Sequence, residues 1–359
     1  MALLLALPIW VIVWNYIIKD KESNKKAARI YMVICSIALI LVIGLRSRYT
    51  GSFDTNIYCG IFENAQSVSG ISTYFDKMDI LDGFWLFSEA GFYGYVWLTA
   101  HILPNTQMFI FLTSAIVIVC VAIFIYKHSE DHCISWLAFI CLGSMTFSMN
   151  AMRQSLAMAI CLLAYDYAKR KKLIPFLLIV MIAVLFHKSA IIFLLVYPLS
   201  RFNLNFKTMT LFSVAMVVLI ASSSRLSVLY DTIMGEDYSL SESMEGGGLI
   251  TVMIYLSAII FYVVFSKQKN QKMGPLFISM IGGAIYLCRY MSTQIYERMS
   301  FYFMFFLILL FPMSFKGIKQ KERTFFTMMF VVFAMVLFAY RIYKGDFADF
   351  QLFWSEVSI

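Results

Sequence analysis

The sequence predicts an all-α polytopic membrane protein, and three observations carry that expectation. Hydrophobic residues make up 61% of the chain and charged residues 14%, which leaves too little polar surface to cover a soluble domain of this size. The mean hydropathy is +0.78. Apolar runs of about 15 to 20 residues recur from end to end, close to the length that crosses a bilayer as a helix, and nothing alternates as the strands of an outer-membrane barrel do.

The charge balance fits this class. The net charge is +8, but the basic residues gather in short links between apolar runs, which is the topology signal of the positive-inside rule. A nucleic-acid surface is excluded as the reading of that charge. The cysteines Cys35, Cys59, Cys120, Cys133, Cys141, Cys161 and Cys288 show neither a CxxC pair nor Cys/His metal spacing, so they read as small core residues. The sequence contains no Walker-type phosphate loop, no HExxH and no GxSxG. A nucleotide-driven pump is therefore disfavoured, and any chemistry must draw on a substrate already activated in the membrane.

Taken in order, the first apolar run, about residues 2–18, lacks a basic stretch before it and an A-x-A-like site after it, so it reads as a span and not as a cleaved signal. Lys19, Lys21, Lys25, Lys26 and Arg29 follow and belong inside, which puts the N-terminus outside. A second span at about 30–45 returns the chain to the outer face. The next apolar piece, about 84–103, sets the parity of everything after it. If it crosses, the Lys169-Arg170-Lys171-Lys172 link falls outside. If it lies on the outer face or re-enters, every later basic link falls inside. Glu89, Gly91, Gly94 and His101, with a centre rich in Tyr and Trp, favour the second reading.

Spans are then expected at about 106–126, 133–148, 151–168, 173–186, 189–200, 208–223, 249–266, 274–290, 299–315 and 324–341. That makes about twelve transmembrane helices with both termini outside. The expected organisation is a single transmembrane domain over 1–359. An extracytoplasmic loop at 46–103 holds the non-spanning or re-entrant helix, and a second outer loop, acidic and Gly-rich, occupies 224–248.

Under this topology most of the cations left at the outer face stand in compact polar clusters: RSRYTGSFDTNIY, NAMRQ, FHKS and CRYMSTQIYERMSFY. Arginines at helix ends on the disfavoured side call for an explanation. Pyrophosphate supplies one, because guanidinium forks bind phosphate oxygens in bidentate pairs and keep their charge in a low dielectric. Each residue also has a plainer reading: Arg46 and Arg48 can snorkel to headgroups, Asp54 can cap a short helix, His187 can bond a neighbouring helix, and Glu297 can simply pair with Arg298. Tyr49, Tyr290 and Tyr296 differ from the other aromatics in sitting inside the polar clusters, where rings can stack on sugars.

The same clusters carry a resemblance. RSRYTGSFDTNIY after the second span, N-x-x-RQ-x-x-A opening a helix, A-x-LFHKSA about thirty residues later and YERMSFYF further on are together similar to the EpsG family of Wzy-type polysaccharide polymerases. The similarity covers nearly the whole chain. It implies a glycosyltransferase of the bacterial inner or plasma membrane, multi-pass, with its active site facing outward. Such enzymes move a growing chain from undecaprenyl pyrophosphate to the terminal sugar of a new lipid-linked repeat, making O-antigen, capsule or exopolysaccharide. The resemblance also implies a GT-C-like architecture in which an extracytoplasmic loop packs over an outer-face cavity. Neither metal nor cofactor is expected. The implied partners are the lipid-linked donor and acceptor, the bilayer and a chain-length regulator, with no nucleic acid.

Carried onto this chain, the resemblance assigns Arg46, Arg48, Arg153, Arg289 and Arg298 to the pyrophosphates. The base that takes the hydroxyl proton is Asp54, His187 or Glu297. His187 has the most suitable ordinary pKa, while Asp54 stands beside an arginine cluster. Gln154, Lys188 and Tyr296 are substrate contacts of second rank, with Tyr49 and Tyr290 beside them. Two other classes stay open: a transporter or flippase of lipid-linked oligosaccharide, and a ligase using the same donor. A carrier is expected to hold ionisable groups near mid-membrane and to show internal two-fold similarity. Here the polar groups gather at one face.

Overall fold

A computed structural model describes residues 1–19, 21–51, 54–78, 88–202, 206–234, 248–265, 274–290 and 295–355. Among them the chain is helical, with one isolated antiparallel bridge between Arg46 and Leu352. Four helices are long and apolar enough to cross a membrane: Lys25–Gly44, Thr106–His128, Lys207–Leu229 and Gln320–Lys344. Two bent pairs raise the number to six if each is one span, His132–Cys141 with Ser144–Asn150 and Ile295–Met304 with Leu307–Lys316. They occupy the expected spans 133–148 and 299–315. Ala2–Ile17, Leu173–Phe186, Lys188–Leu199, Leu249–Phe265 and Gly274–Cys288 are apolar but shorter.

Several of these elements depart from the sequence expectation for local reasons. The expected span 189–200 is a 3-10 helix, Lys188–Leu195, followed by one α-turn. Helix Phe206–Met234 runs on into the expected outer loop 224–248, and residues 235–247 of that loop lie outside the described residues. Among the described residues of 46–103 there are three short helices, Asp54–Gln66, Ile71–Lys77 and Ala90–Ile102. The last has 13 residues, a rise of about 20 Å against a hydrocarbon core of about 30 Å. Residues 84–87 of that apolar piece lie outside the described residues.

The chain divides into two compact units. The first comprises Met1–Ala164, Leu177–Ile191 and Met328–Ile359, the second Tyr165–Phe176 and Ile192–Thr327. In the first unit the loop after Lys25–Gly44 is tied to the C-terminal segment. Ser47 N donates to Gln351 O at 2.9 Å, Thr50 Oγ1 to the same carbonyl at 3.0 Å, and Phe353 N to Leu45 O at 3.0 Å. A cluster of buried apolar residues that includes Phe62, Phe92, Val96, Phe109 and Leu156 seats the three short helices. All seven cysteines are buried and free, as befits small apolar side chains.

Candidate active site

Three of the residues singled out from the sequence meet on one carboxylate in the first unit. Glu89 is 5% exposed. Its Oε1 accepts from His187 Nδ1 at 2.5 Å and from the backbone N–H of Lys188 at 3.1 Å. Its Oε2 lies 2.5 Å from Arg153 Nη1. Arg153 stands in the first turn of Met152–Lys169, and His187 closes Leu173–Phe186 by donating its backbone N–H to Ala183 O. Lys171, with φ of 61°, turns the link between those two helices, and Lys172 N bonds back to Tyr167 O. The chain therefore goes out along one helix and back along the next.

Helix Ala90–Ile102 brings the carboxylate to that place. Gly91 is the reason it can come so close: a Cβ there would stand 2.8 Å from Leu185 Cβ and 3.0 Å from Leu185 O. The next residue, Phe92, puts its ring 5.8 Å from the Arg153 guanidinium carbon, and Tyr58 packs edge-on against the same ring. Burial works to raise the Glu89 carboxyl. The hydrogen bond from His187, the charges of His187 and Arg153 and the Lys188 amide outweigh it, so the group sits below its ordinary value.

Glu89 is the functional candidate that sequence reasoning missed. A lone carboxylate in an apolar piece was the available signal, but only the fold shows which cations it serves.

The other predicted site residues fall elsewhere. Arg46 is 1% exposed and donates to Ile43 O at 2.7 Å, Ser114 Oγ at 3.0 Å and Met149 O at 2.8 Å. Burial lowers its guanidinium to about 10, which leaves it charged at neutral pH. Its side chain thus serves helix ends. Arg48 pairs with Glu63 at 2.5 Å and donates from Nε to Asn56 at 2.8 Å. Tyr49, 69% exposed, lies beside it. Asp54 opens its helix as an acid in the first turn, favourable to the helix dipole, and Thr55 Oγ1 bonds Met149 O at 3.2 Å. Gln154 and Lys188 are buried.

In the second unit Arg289 Nη1 lies 2.9 Å from Glu297 Oε2 and donates to Tyr286 Oη at 3.0 Å. Tyr290 is exposed, as is Arg298, while buried Tyr296 donates its hydroxyl to Ser223 O. Tyr296 also borders an apolar cavity of about 440 Å³ lined by Ile192, Phe212, Met216, Leu219 and Ile285 among others. Among the described residues no three His, Cys, Asp or Glu side chains come together as a metal site.

The family model described as EpsG family matches residues 29–354, most of the chain. No curated protein and no solved structure matches.

Proposed function

Because the chain belongs to the EpsG family of Wzy-like polysaccharide polymerases, we propose that it polymerises undecaprenyl-pyrophosphate-linked oligosaccharide repeats at the outer face of the inner or plasma membrane. The observation that carries this reading is the meeting of a cation, Arg153, and an imidazole, His187, on one buried carboxylate. Glycosyl transfer from a lipid pyrophosphate needs those two services. A cation must stabilise charge building on the leaving group, and a base must take a proton from the attacking sugar hydroxyl.

In this reading the acceptor hydroxyl attacks the anomeric carbon of the donor chain. The bond from that carbon to the pyrophosphate oxygen breaks, and its electron pair leaves with undecaprenyl pyrophosphate. His187 takes the hydroxyl proton and returns it to water. Arg153 binds the donor pyrophosphate, with Gln154 next to it in sequence and Lys188 next to His187 as further substrate contacts. Arg48, Arg289 and Arg298 are offered as further phosphate contacts, with Tyr49, Tyr290 and Tyr296 for sugars. Among the described residues the four long helices, the two bent pairs and the five shorter apolar helices, Ala2–Ile17 included, offer at most eleven crossings, and twelve is kept as part of the proposal. A GT-C-like arrangement and a chain-length regulator belong to the same proposal.

The test loads purified protein in detergent with a synthetic polyprenyl-pyrophosphate repeat unit and looks for a ladder of products. A ladder from the wild type that Arg153→Ala abolishes supports the reading. No ladder, together with movement of the same substrate across vesicles containing the protein, identifies a carrier. Transfer of one preformed chain to a different lipid, without elongation, identifies a ligase.

A further inference from the structure

The ring nitrogen of His187 that meets Glu89 is Nδ1, and the carboxylate offers it only acceptors. A neutral imidazole in that contact must carry its hydrogen on Nδ1, which leaves the lone pair on Nε2. Among the described residues no partner takes Nε2. The arrangement is that of a base whose far nitrogen is held so that its near one can accept a proton.

The backbone of Glu89 adds a second, independent observation. It is one of two non-glycine residues with positive φ among those described, at φ 58° and ψ 29°. That left-handed conformation costs about 1 to 2 kcal/mol for a residue with a Cβ. Glu89 stands at the N-cap of Ala90–Ile102, yet its side chain makes no cap hydrogen bond there. An acid at that position would ordinarily serve its own helix's amides. Here both oxygens are turned to other elements, one to His187 and the Lys188 amide and the other to Arg153. Side-chain exposure is 7% at Glu89, 11% at His187 and 28% at Arg153. The acid is thus innermost and the arginine outermost.

We propose that Glu89 is the positioning residue of this site, fixing the Nδ1–H tautomer of His187 and holding Arg153 in register with it. Glu89 does not touch substrate. It acts through His187, whose imidazolium it stabilises once the hydroxyl proton has moved to Nε2. It also acts through Arg153, whose guanidinium it aims. This role rests on the reading of His187 as the base.

The experiment separates the two claims. The chain has only 4 histidines, so nitrogen-15 spectra of the histidine-labelled full chain in detergent are simple enough to assign His187 by difference from His187→Asn. The expected wild-type spectrum shows the Nδ1–H tautomer. Glu89→Gln offers an amide that can donate as well as accept, so the Nε2–H form must grow in. In the ladder assay the same variant loses about 10²- to 10⁴-fold in kcat with KM little changed. Glu89→Asp keeps a carboxylate and recovers the tautomer and part of the rate. Combining Glu89→Gln with His187→Asn loses less than the product of the two single losses, the remainder being the share that runs through Arg153.

An Nε2–H tautomer in the wild type, or an unchanged one in Glu89→Gln, overturns the proposal whether or not polymer is made. Loss of rate in Glu89→Gln with the tautomer kept and KM raised overturns it too. A wild type that shows the Nδ1–H tautomer but forms no ladder overturns the polymerase reading and leaves the tautomer contact standing.

Discussion

Arg341 donates from Nη1 to the carbonyl of Leu142 at 2.7 Å, inside the break between the two halves of the bent pair His132–Cys141 and Ser144–Asn150. Leu142 caps the first half, and Gly143 follows with φ of 109°. A Cβ at Gly143 would fall on Arg341 Nη1. The bend therefore depends on one residue without a side chain and one long cation that satisfies a freed carbonyl. Gly143→Ala is expected to destabilise the protein by at least about 2 kcal/mol through backbone strain and the lost hydrogen bond. A thermal unfolding midpoint in detergent equal to that of the wild type would show that the break needs no glycine.

Gly91→Ala tests the approach of two helices. Alanine is the better helix former, so an isolated helix would gain. Here the added methyl meets Leu185 Cβ and O, and overpacking of that kind costs about 1 to 3 kcal/mol. Both the unfolding midpoint and the ladder rate should fall, because the shift carries Glu89 away from His187. Gly94→Ala is the control, with its nearest neighbour, a Phe75 ring carbon, at 3.8 Å.

Arg46 and Arg48 are adjacent in role by sequence and differ by structure. Arg46→Lys cannot reproduce a fork that reaches Ile43 O, Ser114 and Met149 O together, and a loss of about 2 to 4 kcal/mol is expected. Arg48→Lys alters a partly exposed pair with Glu63, worth about 1 kcal/mol or less. The expected result is a fall in unfolding midpoint for the first and a stable protein, altered in KM if anything, for the second. The reverse pattern would return Arg46 to the substrate.

The three candidate bases separate by single substitution. His187→Ala is expected to lower kcat by about 10²- to 10⁴-fold. Asp54→Asn at a helix start and Glu297→Gln, paired with Arg289, are expected to change it by less than about tenfold. If Asp54→Asn or Glu297→Gln gives the larger loss, with the variant folded, the base lies there.

The Glu89 carboxyl sits below its ordinary value near 4.5 in the folded chain, held there against burial by His187, Arg153 and the Lys188 amide. A depressed carboxylate contributes stability that is fully present above the unfolded value and is lost as pH falls through the folded one. The wild type should lose stability as pH drops below about 4.5, and Glu89→Gln should lose less over the same window. The difference between their unfolding midpoints, followed against pH, checks the sign. A gap that widens on acidification would contradict it.

Much of this protein is legible from its sequence for a simple reason. Apolar runs, basic links and short motifs are local patterns, and a bilayer makes local patterns decisive. They establish a helical membrane protein, and they carry the resemblance to the family to which the chain belongs. They also single out Arg153 and His187, because a cation and an imidazole in apolar tracts are expensive without partners. Span ends are less legible. Hydropathy does not register the break at Gly143 or the 3-10 helix at Lys188–Leu195, since both keep the apolar run intact while changing the backbone.

Only the tertiary structure decided which partners the polar residues meet. Arg46 and Arg48 look alike in RSRYTG, but the fold buries the first against three acceptors and leaves the second partly exposed beside Glu63. Glu89 lies 64 positions from Arg153 and 98 from His187 in sequence. The three meet because a short helix docks through Gly91 onto the end of another. Sequence can mark a charge that needs a partner, but the partner's identity is a matter of distance in space, which packing alone sets.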